Sequence, residues 1–129
     1  MAAKKQSVQK QILIAEDEKA LARALELKLD HSGYKAVIAP NGEEAIALLE
    51  KGSYVVVLLD LMMPKVDGFG VLESMQKRGD KTPVIVLTNL SQPEDEKRAK
   101  DLGAHEFFVK SNTSIATIVE RIKHLLGEI

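Results

Sequence analysis

The residues best suited to chemistry are Glu16 and Asp17, which are adjacent, then Asp60, Thr88 and Lys110. Each stands directly after a short apolar burst: Ile12 to Ala15, Tyr54 to Leu59, Pro83 to Leu87, and Phe107 to Val109. Packed together without compensation, the three carboxylates would repel one another. A hard divalent cation relieves that repulsion, and carboxylate oxygens are what Mg²⁺ prefers. Mg²⁺ commonly keeps waters and leaves room for a phosphate oxygen. Lys110 adds positive charge and Thr88 a hydrogen-bond donor, both suited to a phosphoryl group. A carboxylate is also a known covalent acceptor through aspartyl phosphate. Asp60, after the strongest apolar burst, is the best-placed acceptor, whereas the Glu16-Asp17 pair suits metal binding.

Taken singly, these residues have plainer readings. Acids after a strand are often solvated loop residues or helix caps, and Glu18 is read that way. A lone aspartate is more often structural, and a lone lysine usually lies on the surface. Joint placement after successive bursts carries the chemical reading.

The elements that must bring them together follow from the pattern between the bursts. Leu21, Leu25 and Leu29, with Ala24 alongside, have helical spacing, and Ser32-Gly33 stops that helix. Lys35 to Ala39 is a short strand, and Pro40-Asn41-Gly42 a turn before a helix carrying Ala45, Ile46, Leu48 and Leu49. Tyr54 to Leu59 has no alternation and is rich in β-branched residues, as a central parallel strand covered on both faces requires. Pro64 to Gly68 is loop, and a helix through Phe69, Val71, Leu72 and Met75 closes at Gly79. Ile115, Ile118, Val119, Ile122, Leu125 and Leu126 form the stripe of a last helix, with Thr113 or Ser114 as its cap. The helix from Pro93 to Leu102 has acids in its first turn, where the dipole favours them. Its apolar anchors are only Ala99 and Leu102, so it is expected to be the most mobile helix.

Strand–helix alternation predicts an α/β three-layer sandwich, with a five-stranded parallel sheet and helices on both faces. Ligands of such sheets gather at the carboxyl ends of the strands, where the polar residues fall. A chain of 129 residues makes one domain, and a closed eight-stranded barrel would need about twice that length. Residues 1–9 read as a flexible N-terminal tail and residues 10–129 as the domain.

Composition excludes other classes. With 45% hydrophobic and 29% charged residues the chain is an ordinary globular one. The absence of cysteine removes thiol nucleophiles, disulfides and Cys-ligated metals. A net charge of −1 offers no surplus for coating nucleic acid, and two Tyr, three Phe and no Trp make a poor stacking platform. Apolar runs are far shorter than the roughly 20 residues of a membrane span, so no membrane insertion is expected and a cytoplasmic location is the default. Gly68 and Gly70 give GFG, which is not a phosphate-binding glycine loop. His31, His105 and His124 lack zinc-ligand spacing.

From Gln11 to Leu126 the chain resembles the response-regulator receiver domain (CheY-like) of two-component signal transduction. The resemblance rests on Glu16-Asp17 after ILIA, on LLDLMMPKVDGFG from Leu58 to Gly70, on VLTN from Val86 to Asn89, and on FFVK from Phe107 to Lys110. It implies the flavodoxin-like strand order 2-1-3-4-5. It further implies that Asp60 is the phosphoacceptor and that Asp17, Asp60, Glu16 through a water, and the Met62 backbone carbonyl hold Mg²⁺. Thr88 and Lys110 would bind the phosphoryl group, and Phe107 would change its burial as Thr88 moves. Pro64, Asp67 and Gly68 would shape the loop leaving the third strand. The donor would be a histidine kinase or histidine phosphotransfer domain. The remodelled surface of the fourth helix, fifth strand and fifth helix would regulate a protein target or an output domain absent from this chain, with no direct nucleic-acid contact. The protein would be a monomer or weak dimer. It would catalyse its own phosphorylation and dephosphorylation, but act primarily as a signalling switch. A receiver-like interaction module that works without phosphorylation is the main alternative, and a small Mg²⁺-dependent phosphatase a weaker one.

The chain departs from the family at several positions. Ser111 stands where the family usually has a cis-proline; a cis bond before a non-proline costs about 2.5–4 kcal/mol, so a trans Lys110–Ser111 bond, or else a conspicuously strained one, is expected, with an altered loop before the fifth helix. Asn89 is bulkier than the family's usual small residue and would either narrow phosphodonor access or hydrogen-bond to the phosphoryl group. Met62 and Leu90 are bulky and apolar where attacking water must approach, which predicts slow self-dephosphorylation. Val55 occupies a position often acidic in the family; nothing in the sequence explains it.

Overall fold

The computed structural model describes residues 9–128. Residues 1–8, most of the expected tail, lie outside the described residues, and Gln9 is exposed and precedes the first strand. Five strands and five α-helices alternate: β1 (Gln11–Ala15), α1 (Lys19–His31), β2 (Lys35–Ala39), α2 (Gly42–Lys51), β3 (Val56–Leu59), α3 (Gly68–Arg78), β4 (Val84–Thr88), α4 (Pro93–Asp101), β5 (Glu106–Val109) and α5 (Ile115–Leu125). A short 3₁₀ turn, Lys110–Asn112, separates β5 from α5. The strands pair in parallel in the order β2-β1-β3-β4-β5, as the resemblance implies.

The period of two along each strand divides the core. Leu13, Ala15, Val57, Leu59, Val84 and Val86 face α2, α3 and α4, while Ile12, Ile14, Val56, Leu58, Ile85 and Leu87 face α1 and α5. Every residue of β3 and β4 is buried, which is why those segments carry no polar alternation. The ladder of β3 begins at the Ile12–Val56 pair, two residues later than the apolar run suggests. Val55 still donates its N–H to the Gln11 carbonyl (2.8 Å), but it and Tyr54 are only half-buried.

Helix boundaries follow their caps. Asn41 accepts from the Glu44 N–H (2.8 Å), Asp67 from the Gly70 N–H (2.9 Å) and Ser114 from the Thr117 N–H (3.1 Å). In α1 the buried face is Ala22, Leu25 and Leu29, so Ala22 takes the place expected of Ala24. Helix α4 buries Ala99 alone, and the Arg98 guanidinium lies over the Phe69 ring of α3, 4.0 Å from its centroid. At the amino ends of the strands, Glu128 beyond α5 accepts hydrogen bonds from the Tyr34 hydroxyl and from Lys10 Nζ, the latter at 2.7 Å.

Candidate functional site

Parallel pairing places the residues after β1, β3, β4 and β5 at one edge of the sheet. The Glu16 N–H continues the ladder to the Ala39 carbonyl and the Asp60 N–H to the Ala15 carbonyl, each at 3.0 Å. Both carboxylates are therefore held by backbone that is still sheet. Glu16 and Asp60 are buried at 4% exposure each, and Asp17 is exposed. One carboxylate oxygen from each of these three lies within 4.8 Å of the other two.

Lys110 enters this cluster from the other side of the sheet. Its Nζ donates to Asp60 Oδ2 at 2.9 Å, lies 2.9 and 3.1 Å from the two Glu16 oxygens, and stands 3.6 Å from Glu18. Burial works against the Lys110 ammonium, but the bonds to Asp60 and Glu16 outweigh it and raise its pKa above the usual lysine value. Burial pushes the Glu16 carboxyl above the usual carboxylate range, more than the Glu18 N–H (3.0 Å from Oε2) and Lys110 pull it down. Three carboxylates against one ammonium leave negative charge uncompensated. A hard divalent ion fits this donor set, and Mg²⁺ with retained waters suits one exposed and two buried carboxylates.

Around the acids the loops are ordered by short bonds. The Met62 N–H donates to Asp60 Oδ1 (3.0 Å), which fixes the carboxylate rotamer and leaves Oδ2 to Lys110. The Met62 side chain is 54% exposed. With Leu90, Asp17, Asp67 and Phe69 it lines an open cavity of about 420 Å³. Thr88 ends β4 fully buried, its hydroxyl accepting from the Leu90 N–H at 3.3 Å. Asn89 is exposed. Phe107 is half-buried on β5, in register with Val86.

The structure thus brings together Glu16, Asp17, Asp60 and Lys110, and sets Thr88, Met62 and Leu90 around them. No cis peptide occurs among the described residues, so the Lys110–Ser111 bond is trans as expected. The turn that follows is closed by the Thr113 hydroxyl on the Val109 carbonyl (2.9 Å). Glu18 lies where its plainer reading puts it, exposed at the start of α1. It occupies the N-cap position of α1 without a side-chain cap bond, and its carboxylate faces Lys110. Lys65, at φ 71°, is left-handed in the loop after Asp60, and nothing in its residue type announced it.

A five-stranded parallel sheet with a lysine seated among acids at its carboxyl edge defines a phosphoacceptor-type α/β domain, and comparison with known proteins agrees. The response regulator receiver domain family matches residues 12–123, and the chain belongs to that family. The chain is 38% identical over 117 residues to YkoG of Bacillus subtilis, an uncharacterised transcriptional regulatory protein, covering 91% of this chain and 51% of that one. It spans about half the length of that curated relative or less of others. Among solved structures, the receiver domain of the Francisella response regulator 1452 superposes with a TM-score of 0.86 at 29% identity, over 92% of this chain and 98% of that one. TrrA of Thermotoga maritima, solved in complex with Mg²⁺-BeF, gives 0.80 at 32% identity, over 91% and 99%. Among the described residues, no helix is long and apolar enough to cross a membrane.

Proposed function

We propose that this chain is the phosphoacceptor switch of a two-component system, with Asp60 taking a phosphoryl group from a phosphohistidine donor. The observation that carries the reading is the Lys110 ammonium on Asp60 Oδ2 and Glu16, inside a cluster of three carboxylates at the strand ends. An Asp60 oxygen attacks phosphorus, the P–N bond breaks, and its electron pair returns to the imidazole, which leaves with a proton from solvent. Lys110 is already within bonding distance of the acceptor, so it stabilises charge on the phosphoryl oxygens without reorganising. Mg²⁺, held by Asp17, Asp60, the Met62 carbonyl and, through water, Glu16, supplies charge neutralisation when bound. The binding of Mg²⁺-BeF by TrrA supports this assignment by likeness.

The Thr88 hydroxyl, which accepts from the Leu90 N–H, donates its own proton to a phosphoryl oxygen, and Phe107 then repacks beside β4. The outcome is a population shift in the surface of α4, β5 and α5, which regulates a protein target or an output domain. The donor is a histidine kinase or phosphotransfer domain, acting in the cytoplasm. Asn89, exposed beside Thr88, tunes access of the donor.

The test is phosphoryl uptake with Mg²⁺ and a small phosphodonor, followed by intact mass. Wild type gains one phosphoryl group, and Asp60→Asn gains none. Equal labelling of both proteins, or none of either with Mg²⁺ present, overturns the proposal. Failure of labelling with partner binding retained would favour the interaction-module reading.

A further inference from the structure

The loop that leaves Asp60 is closed by its own bonds, from the Gly68 N–H to the Leu61 carbonyl (3.0 Å) and from the Val66 N–H to the Pro64 carbonyl (2.9 Å). Those bonds set the loop's shape. Its far end also rests on the end of β3, where a Cβ added to Gly68 would lie 2.4 Å from the Asp60 carbonyl oxygen. Its middle, at Val66, is held in addition from outside, by a residue far away in sequence. A Cβ added to Gly42, the first residue of α2, would lie 1.9 Å from the Val66 carbonyl oxygen, 2.6 Å from its carbon and 2.8 Å from Val66 Cβ. Real Cβ contacts essentially never fall under 3.0 Å. The backbone at Gly42 is not left-handed, so the need for glycine there is one of space and not of conformation. The hydrogen that replaces a side chain faces the carbonyl oxygen, in the manner of a Cα–H···O contact.

The same loop residue is confined from its other side. A Cβ on Gly70 of α3 would stand 2.6 Å from Val66 Cγ1. Val66 is thus seated between two glycines on different helices. The wall on the α2 side is stiff: Asn41 is 7% exposed, and its side chain holds both the Glu44 N–H (2.8 Å) and the Glu44 carboxylate (3.2 Å).

We propose that Gly42 is a positioning residue for the metal-binding half of the site. Resting on the phosphoacceptor reading above, the inference is that the first turn of α2, through Val66, sets the place of the loop carrying the Met62 main chain. The Asp60 backbone is fixed separately, by its N–H on the Ala15 carbonyl, and its carboxylate keeps the Lys110 bond as well as the one from the Met62 N–H. Displacing the loop therefore weakens Mg²⁺ binding more than it slows transfer once Mg²⁺ saturates.

The experiment titrates the full chain with Mg²⁺ by calorimetry and measures phosphoryl uptake from phosphoramidate at saturating Mg²⁺. Gly42→Ala is expected to raise the Mg²⁺ dissociation constant at least tenfold and to change the saturated rate less than threefold. Ala45→Gly, which weakens α2 without pressing on the loop, is expected to lower the melting temperature and leave the dissociation constant unchanged. If Gly42→Ala does not fold, Val66→Ala loosens the seat without a clash and is expected to shift Mg²⁺ binding the same way by a smaller factor. Wild-type Mg²⁺ affinity in the folded Gly42→Ala protein, or in Val66→Ala should that be the variant used, overturns the inference alone. So does equal weakening by Ala45→Gly. A wild-type chain that binds no Mg²⁺ overturns the functional proposal as well.

Discussion

At the scale of the residue, the site is a balance between charges that burial makes costly and a lysine that compensates them. Removing Lys110 would leave two carboxylates at 4% exposure without their cation, whereas removing the exposed Asp17 would cost little stability. Met62 and Leu90 matter differently. They line the cavity beside Asp17, and under the proposed function they would present apolar surface on the approach of a hydrolytic water. Replacing both with polar residues, as Met62→Asn with Leu90→Glu, is expected to shorten the phosphoryl lifetime by about tenfold, a barrier change of about 1.4 kcal/mol. Loss of label after removal of the donor measures it, and an unchanged lifetime would contradict the role given to these side chains. The gathering of Glu16, Asp17, Asp60, Thr88 and Lys110 at one sheet edge was legible in sequence because these residues close or follow the apolar bursts. The contact of Glu18 with Lys110 and the backbone conformation of Lys65 were not. Proximity to Lys110 across 92 positions and a left-handed backbone leave no mark in residue type.

At the scale of the element, strength of attachment varies with what each helix buries. Helix α5 seats Ile118, Val119 and Ile122, each worth about 1.5–3 kcal/mol, while α4 seats one alanine. Sequence periodicity showed that contrast directly, since an apolar stripe is a count of side chains. It did not show what holds α4 instead, because a cation over a ring has no periodicity. Arg98 on Phe69 is such a hold, worth about 0.5–1 kcal/mol for an exposed arginine. Arg98→Ala is therefore expected to speed amide hydrogen exchange in α4 by about two- to fivefold and leave α5 unaltered. Exchange in α4 at the wild-type rate would show that Ala99 and Leu102 suffice. Strand order likewise came from family resemblance, as periodicity identifies strands without saying which are neighbours.

At the scale of the whole molecule, the sheet separates chemistry from closure. Acids and lysine gather at its carboxyl edge, and the Tyr34–Glu128–Lys10 contact sits at the other. Burial first, then the bond to Glu128 and its charge, raises the Tyr34 pKa to about 12. The folded protein thus holds the Tyr34 proton more tightly than the unfolded chain does. Stability from this group is complete below the ordinary tyrosine range near pH 10 and declines as pH rises towards 12. Ultraviolet titration of tyrosinate should show Tyr34 ionising late, and Glu128→Gln should move that step towards neutrality. A step at the ordinary value in wild type would exclude the contact in solution. Because Lys10 and Glu128 meet across 118 positions, the two ends of the described chain emerge side by side, away from Asp60. Joined by a few flexible residues and reopened elsewhere, the polypeptide would be a candidate for circular permutation, with new termini placed in any exposed turn remote from the acids and the phosphate chemistry kept intact.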